Sequence, residues 1–575
     1  MARIRKLDVQ NFRCIRGLTW TPSEGINCLV GPCDSGKSSI LDAIDLCLGA
    51  RRNVAFGDTD FHSLDVNQAI RIEATLGDLP DALLNLDAYG EHLRGFDPAT
   101  GAVEDEPRTG LETVITLRLL VNADLEGQWT LFSERAEAQG LERWLSWKDR
   151  VLLSPARIGS YANSNLSWTR GSVLNRLTEE RIDLGAELAG AARDARTKFG
   201  DQASAQLAQT LQVVTETAKD LGVPIGKMAT ALLDAHSVSI GDGAISLHSE
   251  SGIPLRSLGT GSARLLVAGL QRKAADTATI ALVDEVEHGL EPHRLARLLD
   301  SLGAKDTPPP LQVFMTSHSP IALRELSGNQ VFVVRPGDGS HSVQRIGADD
   351  DVQGTLRAEP EAFLAKSVIV CEGASEVGFA RGLDQFWVSQ NIPSFFALGG
   401  AYVDSGGSNP DRAFQRGTAL SKLGYRTLVL VDADRPATQA TVDAFHAAGG
   451  VSLIWRAGRA IEDEIFLSLN DPSIMALIQM ASEAVGRDLV EQHILSKSNG
   501  TRRLSDIEAE SLIDGLSEAS KTILGAAARV KGAGWFKSVT AFQQVSRDVV
   551  GPNLATADGE FQRLVAELQA WMHAS

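Results

Sequence analysis

Nine residues, Gly31-Pro-Cys-Asp-Ser-Gly-Lys-Ser-Ser39, constrain this chain more than any others. They follow an apolar strand-like run, Ile26 to Val30, and lead into a helical stretch, Lys37 to Leu48. Gly31, Gly36, Lys37 and Ser38 stand at the spacing G-x4-G-K-[ST], which has a chemical meaning only in a strand, loop, helix unit. Glycines let backbone N–H groups close on phosphates, Lys37 brings charge to the β and γ oxygens, and Ser38 offers a hydroxyl to magnesium. Asp34, Ser35 and Ser39 complete the loop, and the expectation is an α/β unit that binds ATP with Mg.

A second buried strand, Ile280-Ala-Leu-Val-Asp284-Glu285, ends in two acids, one placed for a magnesium ion and one to activate water. Taken singly, apolar strands ending in acids are common structural elements. After a further strand, Leu311 to Thr316, His318 stands where a histidine could sense the γ-phosphate. Together with Asn11 to Arg13, Ser257-Leu-Gly-Thr-Gly-Ser-Ala-Arg-Leu and Val283 to Pro292, these segments resemble the ABC ATPase class in its chromosome-maintenance and recombination branch. That resemblance implies that Ser257, Gly259 and Gly261 belong to a signature loop capping ATP on a second subunit. It also implies that Gly289 to Glu291 form the intersubunit loop, and that the protein is a homodimer or a higher homo-oligomer. Cys33 and Asp34 stand where Asn and Gly or Asn are usual, Val286 replaces a Pro, and Thr260 and Ser262 replace Gly and Gln. A carboxylate beside the phosphate cradle adds like-charge repulsion, so ATP is expected to act as a gate rather than as fuel for fast turnover.

At 575 residues, and about 150 per domain, three or four structural units are expected. Helical patterning dominates Val173 to Ala235, Pro308 to Pro310 mark a loop, and the polar stretch Gly337 to Glu359 reads as a domain junction. Beyond it, SVIVCE, SFFALGG, TLVLVDAD and VSLIWRAG alternate with helical patterns at 376–388, 411–423 and 437–448, the rhythm of a parallel sheet. The remainder, from about 466, is mainly helical. Composition removes several classes: no apolar run approaches the ~20 residues of a membrane span, and the N-terminus lacks a secretory leader. A cytoplasmic protein is expected. The five cysteines form no CxxC pair, which argues against zinc and disulfides. A net charge of −18 leaves nucleic-acid contact to local basic surfaces or to metal ions at carboxylates.

Carboxylates of that kind cluster in the second half. Glu372 ends the SVIVC strand, Glu376 follows at i+4, and Asp432 and Asp434 end TLVLV, so acids from separate strands meet at one sheet edge. An all-oxygen set suits Mg or Mn, two of which clamp the attacking and leaving oxygens of a phosphodiester. The strand order and these acids resemble the Toprim domain of topoisomerases, primases, recombination mediators and certain nucleases. Glu462, with Glu464 as the alternative, matches its further acidic motif; a solvated helix start is the competing reading. ABC ATPase followed by Toprim resembles the OLD (overcoming lysogenization defect) nucleases, whose group includes the nuclease subunit of the Gabija anti-phage system. The resemblance implies a lysine assisting cleavage, Lys537 or Lys531.

The fold expected is α/β: an ABC-type ATPase head (1–165 and 241–350) with a helical dimerisation insertion (166–240). A Toprim domain (360–470) and helical C-terminal elements (471–575) follow. The expected function is a metal-dependent DNA endonuclease gated by ATP, with Glu285 and His318 sensing nucleotide and a UvrD-like helicase as an open question of partnership. The rivals are a recombination-mediator-type ATPase with an inert Toprim, and a topoisomerase-like enzyme, for which Tyr89, Tyr161, Tyr402 and Tyr425 are the available nucleophiles.

Overall fold

The computed structural model describes residues 2–50, 54–159, 247–274, 279–337, 339–407 and 409–574; between 160 and 246 it describes only 165–166, 172–177, 190–191, 194, 198, 206–220 and 227–229. Most of the expected helical insertion therefore lies outside the described residues, which there include the helices Val173–Leu177 and Ala208–Asp220.

Three sheets organise the chain. The first is antiparallel and seven-stranded, in the order β2-β1-β4-β7-β5-β6 with β8 beside β7. Its strands are β1 (Arg3–Phe12), β2 (Ile15–Trp20), β4 (Ile70–Gly77), β5 (Leu93–Phe96), β6 (Val103–Glu104), β7 (Glu112–Val121) and β8 (Gly127–Phe132). Alternation sends Leu7, Val9, Ile72, Ala74, Leu117 and Leu119 inward against the helix Lys37–Leu48, while Lys6, Gln10 and Arg71 face out.

The second sheet is six-stranded, in the order β13-β12-β3-β11-β10-β9. It comprises β3 (Ile26–Val30), β9 (Ala156–Arg157), β10 (Ile280–Val283), β11 (Gln312–Thr316), β12 (Val331–Arg335) and β13 (Ser342–Arg345). All neighbours are parallel except the β12–β13 pair. Every residue of β3, β10 and β11 is buried, as expected of parallel strands covered on both faces.

The third sheet is wholly parallel, in the order β15-β14-β16-β17: β14 (Ser367–Cys371), β15 (Gly400–Asp404), β16 (Arg426–Val431) and β17 (Val451–Ile454). Its second strand differs from the sequence reading. The run Ser394 to Gly399 is a turn in which Phe395 packs edge-on against Tyr402, Phe396 and Leu398 are exposed, and Gly399 takes a φ of 79°. The chain extends only after that turn, as Gly-Ala-Tyr-Val-Asp. Eight α-helices lie beyond the last strand among the described residues: Ile461–Ser468, Asp471–Val485, Arg487–Lys497, Leu504–Ile513, Glu518–Ala528, Val539–Val545, the short Gly551–Asn553 and Gly559–His573.

The polar stretch 337–359 is not a loose junction. It contains β13 and the helix Asp350–Ala358, whose Val352 and Leu356 are buried one turn apart. They sit in one apolar core that joins Val283, Met315 and Val333 of the second sheet to Val370, Val403 and Val429 of the third. The opposite face of the third sheet, with Ile369, Leu428 and Leu430, packs on Phe379 of the helix Ala374–Ser389 and on the C-terminal helices through Ile465, Phe542 and Phe561. Among the described residues, no helix is long and apolar enough to cross a membrane.

Candidate functional sites on two parallel sheets

The first site lies where β3, β11 and β10 end side by side. Gly31 has a φ of 141°, and a Cβ there would sit 2.6 Å from the Val334 carbonyl, so only glycine lets the loop pass over β12. Asp34 takes a φ of 60°, a left-handed conformation that Asp tolerates better than most residues, which accounts for its place in a loop where Gly or Asn is commoner. Gly36, with a φ of 89°, caps the helix Lys37–Leu48. Lys37 is folded back and buried, its Nζ donating to the carbonyls of Gly31 (3.1 Å) and Pro32 (2.7 Å) and to Ser35 Oγ (3.2 Å). Burial holds its pKa below the usual lysine value against the raising influence of Cys33, Asp34 and Asp284.

Ser38 Oγ donates to Asp284 Oδ1 at 3.1 Å, and Thr316 Oγ1 donates to the same oxygen at 2.5 Å. The strand register brings the loop serine and the strand-end aspartate together as required for one magnesium ion held by both. Glu285 follows in a left-handed conformation (φ 45°), its N–H donating to Thr316 Oγ1 at 2.8 Å and its side chain largely exposed. His318 is exposed at the end of β11. Its backbone N–H donates to Glu287 Oε1 at 2.7 Å, and Ser317 Oγ donates to Glu287 Oε2 at 2.9 Å. Glu287 was not among the expected residues; the third acid in Asp-Glu-Val-Glu was the available signal.

Ser257 and Gly259 are exposed ahead of the helix Thr260–Lys273, whereas Gly261 is buried against the same chain's Gly289, where a Cβ would lie 2.3 Å from the carbonyl oxygen. Arg264, fully buried one turn on, donates to the carbonyls of Asp284 (2.8 Å), Glu285 (3.0 Å) and His288 (2.8 Å). Among the described residues no hydrogen bond joins Ser257 to Ser262 with the phosphate loop of the same chain.

The second site lies on the carboxyl edge of the third sheet. Glu372 leaves β14, and its Oε2 accepts the Asp432 N–H at 3.2 Å. Gly373 N–H donates to Glu376 Oε2 at 2.8 Å, and Ile461 N–H to Asp432 Oδ1 at 2.9 Å. Glu462, with no exposed side-chain surface, meets Lys537 Nζ at 2.5 Å. The Lys537 side chain lies over Gly534, where a Cβ would come within 2.5 Å of its Cγ, and its segment is anchored by buried Trp535, whose indole donates to His493 Nδ1 at 3.1 Å.

Electrostatics bind these residues into one cluster. Burial, then the charges of Asp432, Glu462 and Glu372, holds the Glu376 carboxyl well above the usual range. Burial, then Glu462, Glu372 and Asp434, raises Asp432 to about 8. Lys537 is pulled down by burial, but Glu462, Glu376 and Asp432 outweigh this and raise it. Asp434 stands at the rim, paired with Arg529 at 3.1 Å; Arg529 also holds Asp463 at 3.2 Å and had no sequence signal of its own. Glu464 is not brought to the cluster. It is buried between Arg456 (2.5 Å) and Arg459 (3.4 Å), which neutralise it as a structural ion pair. Lys531 is exposed, and no ion pair joins it to the acids.

Among the described residues no group of three or more His, Cys, Asp or Glu side chains is closed into a ready-made metal site. The donor chemistry nevertheless fits a hard divalent cation: the side-chain donors are all oxygens, Glu376 is buried and Asp432 partly so, and burial with neighbouring carboxylates keeps both carboxyls raised despite the nearby Lys537.

The phosphate loop, the Ser38–Asp284 pair and the three aligned parallel strands define an AAA-type ATPase head with an ABC-like arrangement. Residues 26–324, just over half of the chain, match the family described as "AAA domain, putative AbiEii toxin, Type IV TA system", and the chain belongs to that family. A stretch of 45 residues is 49% identical to the DNA replication and repair protein RecF of Prosthecochloris aestuarii (strain DSM 271 / SK 413), covering 8% of this chain and 12% of that protein. The chain thus spans about an eighth of the length of this curated relative. Among solved structures, the Smc head domain with an extended coiled coil bound to the C-terminal domain of ScpA derived from Pyrococcus furiosus is 14% identical, covering 60% of this chain and 96% of that one at a TM-score of 0.32. The recombination mediator protein RecF-ATP of the RecFOR pathway is 12% identical, covering 60% of this chain and 99% of that one at a TM-score of 0.28.

Proposed function

We propose that this protein is an ATP-gated, divalent-metal-dependent DNA endonuclease of the Toprim type, similar to the OLD nucleases and serving anti-phage defence or DNA processing. The observation that carries the reading is the meeting of buried Glu372, Glu376 and Glu462 with partly buried Asp432 at one parallel-sheet edge, with Lys537 2.5 Å from Glu462. Mg or Mn, when bound by these carboxylates with Asp434 at the rim, would polarise the phosphodiester and lower the pKa of the attacking water. Asp432, raised to about 8, could take up a proton where a hydrolytic water must lose one, and Glu376, held well above the usual carboxylate range by burial and its acidic neighbours, lies beside it. The Lys537 ammonium lies where it can stabilise charge developing on the phosphate oxygens. On the head, Ser38, Asp284 and Lys37 would hold Mg-ATP, with Glu285 and His318 reading the γ-phosphate. Ser257, Gly259 and Gly261 would act toward ATP on a second copy, in a homodimer.

A second reading, a recombination-mediator-type ATPase with an inert third sheet, draws on the short match to RecF. The topoisomerase-like reading lacks a nucleophile among the described residues: Tyr89, Tyr402 and Tyr425 are all buried, and Tyr161 lies outside them. The deciding assay is nicking of supercoiled DNA in Mg or Mn. Wild type should nick, Asp432→Ala should lose about a hundredfold or more in rate, and Lys37→Ala should lose the response to ATP. No metal-dependent nicking by wild type would favour the mediator reading.

A further inference from the structure

The nucleotide cradle carries sulfur where phosphate recognition has no use for it. Cys28, Cys47 and Cys371 are buried, and burial pushes their thiols up, Cys47 to about 12. Cys14 and Cys33 are exposed. Cys33 lies inside the phosphate loop, two residues past Gly31 and four before Lys37. Cys14 approaches from the turn between β1 and β2: its Sγ is 3.5 Å from Ser39 Oγ, in the first turn of the helix Lys37–Leu48, and 3.1 Å from where a Cβ on Gly36 would stand. The exposed thiols of the chain thus both sit at the helix N-terminus that receives the phosphates.

We propose that Cys14 and Cys33 form a thiol-modification site within the nucleotide cradle, taking low-molecular-weight disulfides, and that an adduct there excludes ATP. Each thiol first loses its proton to solvent. The thiolate then attacks one sulfur of the disulfide, a protein–reagent S–S bond forms as the reagent's own S–S bond breaks, and the departing thiolate takes a proton from water. The disulfide is the oxidant, and added thiol reverses the exchange. Position matters here: Cys33 is part of the phosphate loop itself and Cys14 Sγ lies 3.5 Å from Ser39 Oγ in the first turn of the helix behind it, so an adduct of several atoms on either stands beside the loop that would hold the phosphates. The inference rests on nucleotide binding by the head and is independent of the nuclease reading.

The test uses the full chain and 5,5′-dithiobis(2-nitrobenzoate). Two of the five thiols should react fast in the native protein, identified by mass spectrometry as Cys14 and Cys33. A saturating, non-hydrolysable Mg–ATP analogue should slow both. Affinity for a fluorescent ATP analogue should fall at least about tenfold after reaction and return with dithiothreitol. The Cys14→Ser/Cys33→Ser protein should show the same affinity before and after treatment. Fast reaction at Cys28, Cys47 or Cys371, a doubly modified protein whose affinity stays within about twofold, or continued sensitivity of the double variant would each overturn the proposal.

Discussion

Asp432 states the chemistry of the second site in a single side chain. Its carboxyl is raised from 3.8 to about 8, so between those values the folded protein keeps a proton that the unfolded chain has lost. Stability of the metal-free protein should therefore fall as pH rises from about 4 through about 8, and Asp432→Asn should flatten that dependence. Melting temperatures from pH 5 to 8.5 in chelator would check this, and an unchanged slope in the variant would reject Asp432 as the source. Mn should reverse the trend for wild type at the alkaline end. Glu287 is the corresponding residue on the head. Gln at this position loses the charge that receives the Ser317 hydroxyl and the His318 N–H, each bond to a charged acceptor being worth about 1.5–3 kcal/mol. ATP turnover by Glu287→Gln should fall about tenfold or more while ATP affinity holds; steady-state kinetics beside equilibrium nucleotide binding would show it, and equal losses in both would refute it. The placing of Lys37 in the loop and of Ser38 beside Asp284 was legible in the sequence because motif spacing and strand ends dictate it. Glu464 was misplaced because its partners, Arg456 and Arg459, precede it in a loop whose path no spacing rule reveals.

Among elements, the segment 531–538 shows how Lys537, the lysine proposed to assist cleavage, is held from below. Trp535 and Phe536 are buried, Gly534 leaves room for the Lys537 methylenes, and the Trp535–His493 bond ties the turn to the helix Arg487–Lys497. Trp535→Phe keeps most of the packing but removes the indole N–H and leaves buried His493 without it, a cost of about 1–3 kcal/mol. Metal-dependent nicking should fall while ATP affinity stays as in wild type; parallel loss of both would place the effect in general stability instead. The lysine's place could be proposed from a motif, but the hydrogen bond beneath it joins residues 42 apart and could not. The four strands of the third sheet and their parallel sense were legible from apolar runs, yet β15 was set six residues early, because Ser394 to Gly399 is as apolar as a strand while folding as the turn ahead of one.

At the scale of the whole molecule, the head and the third sheet share one core through the helix Asp350–Ala358. The junction looked polar because the buried apolar residues of its helix, Val352 and Leu356, stand one turn apart among polar neighbours, a helical stripe too short to stand out. Leu356→Ala should cost about 2–5 kcal/mol and weaken both activities together, and calorimetry of the wild type should give one transition for the two sheets rather than two. Separate transitions, or loss of one activity alone, would contradict a common core. The shared core also bears on inheritance. A genetic crossover anywhere in 337–366 would divide this apolar core, and a product whose new neighbour did not cover its half would expose an aggregation-prone face. The head and its acidic sheet are therefore expected to be inherited as a single block, with productive crossovers falling outside this seam.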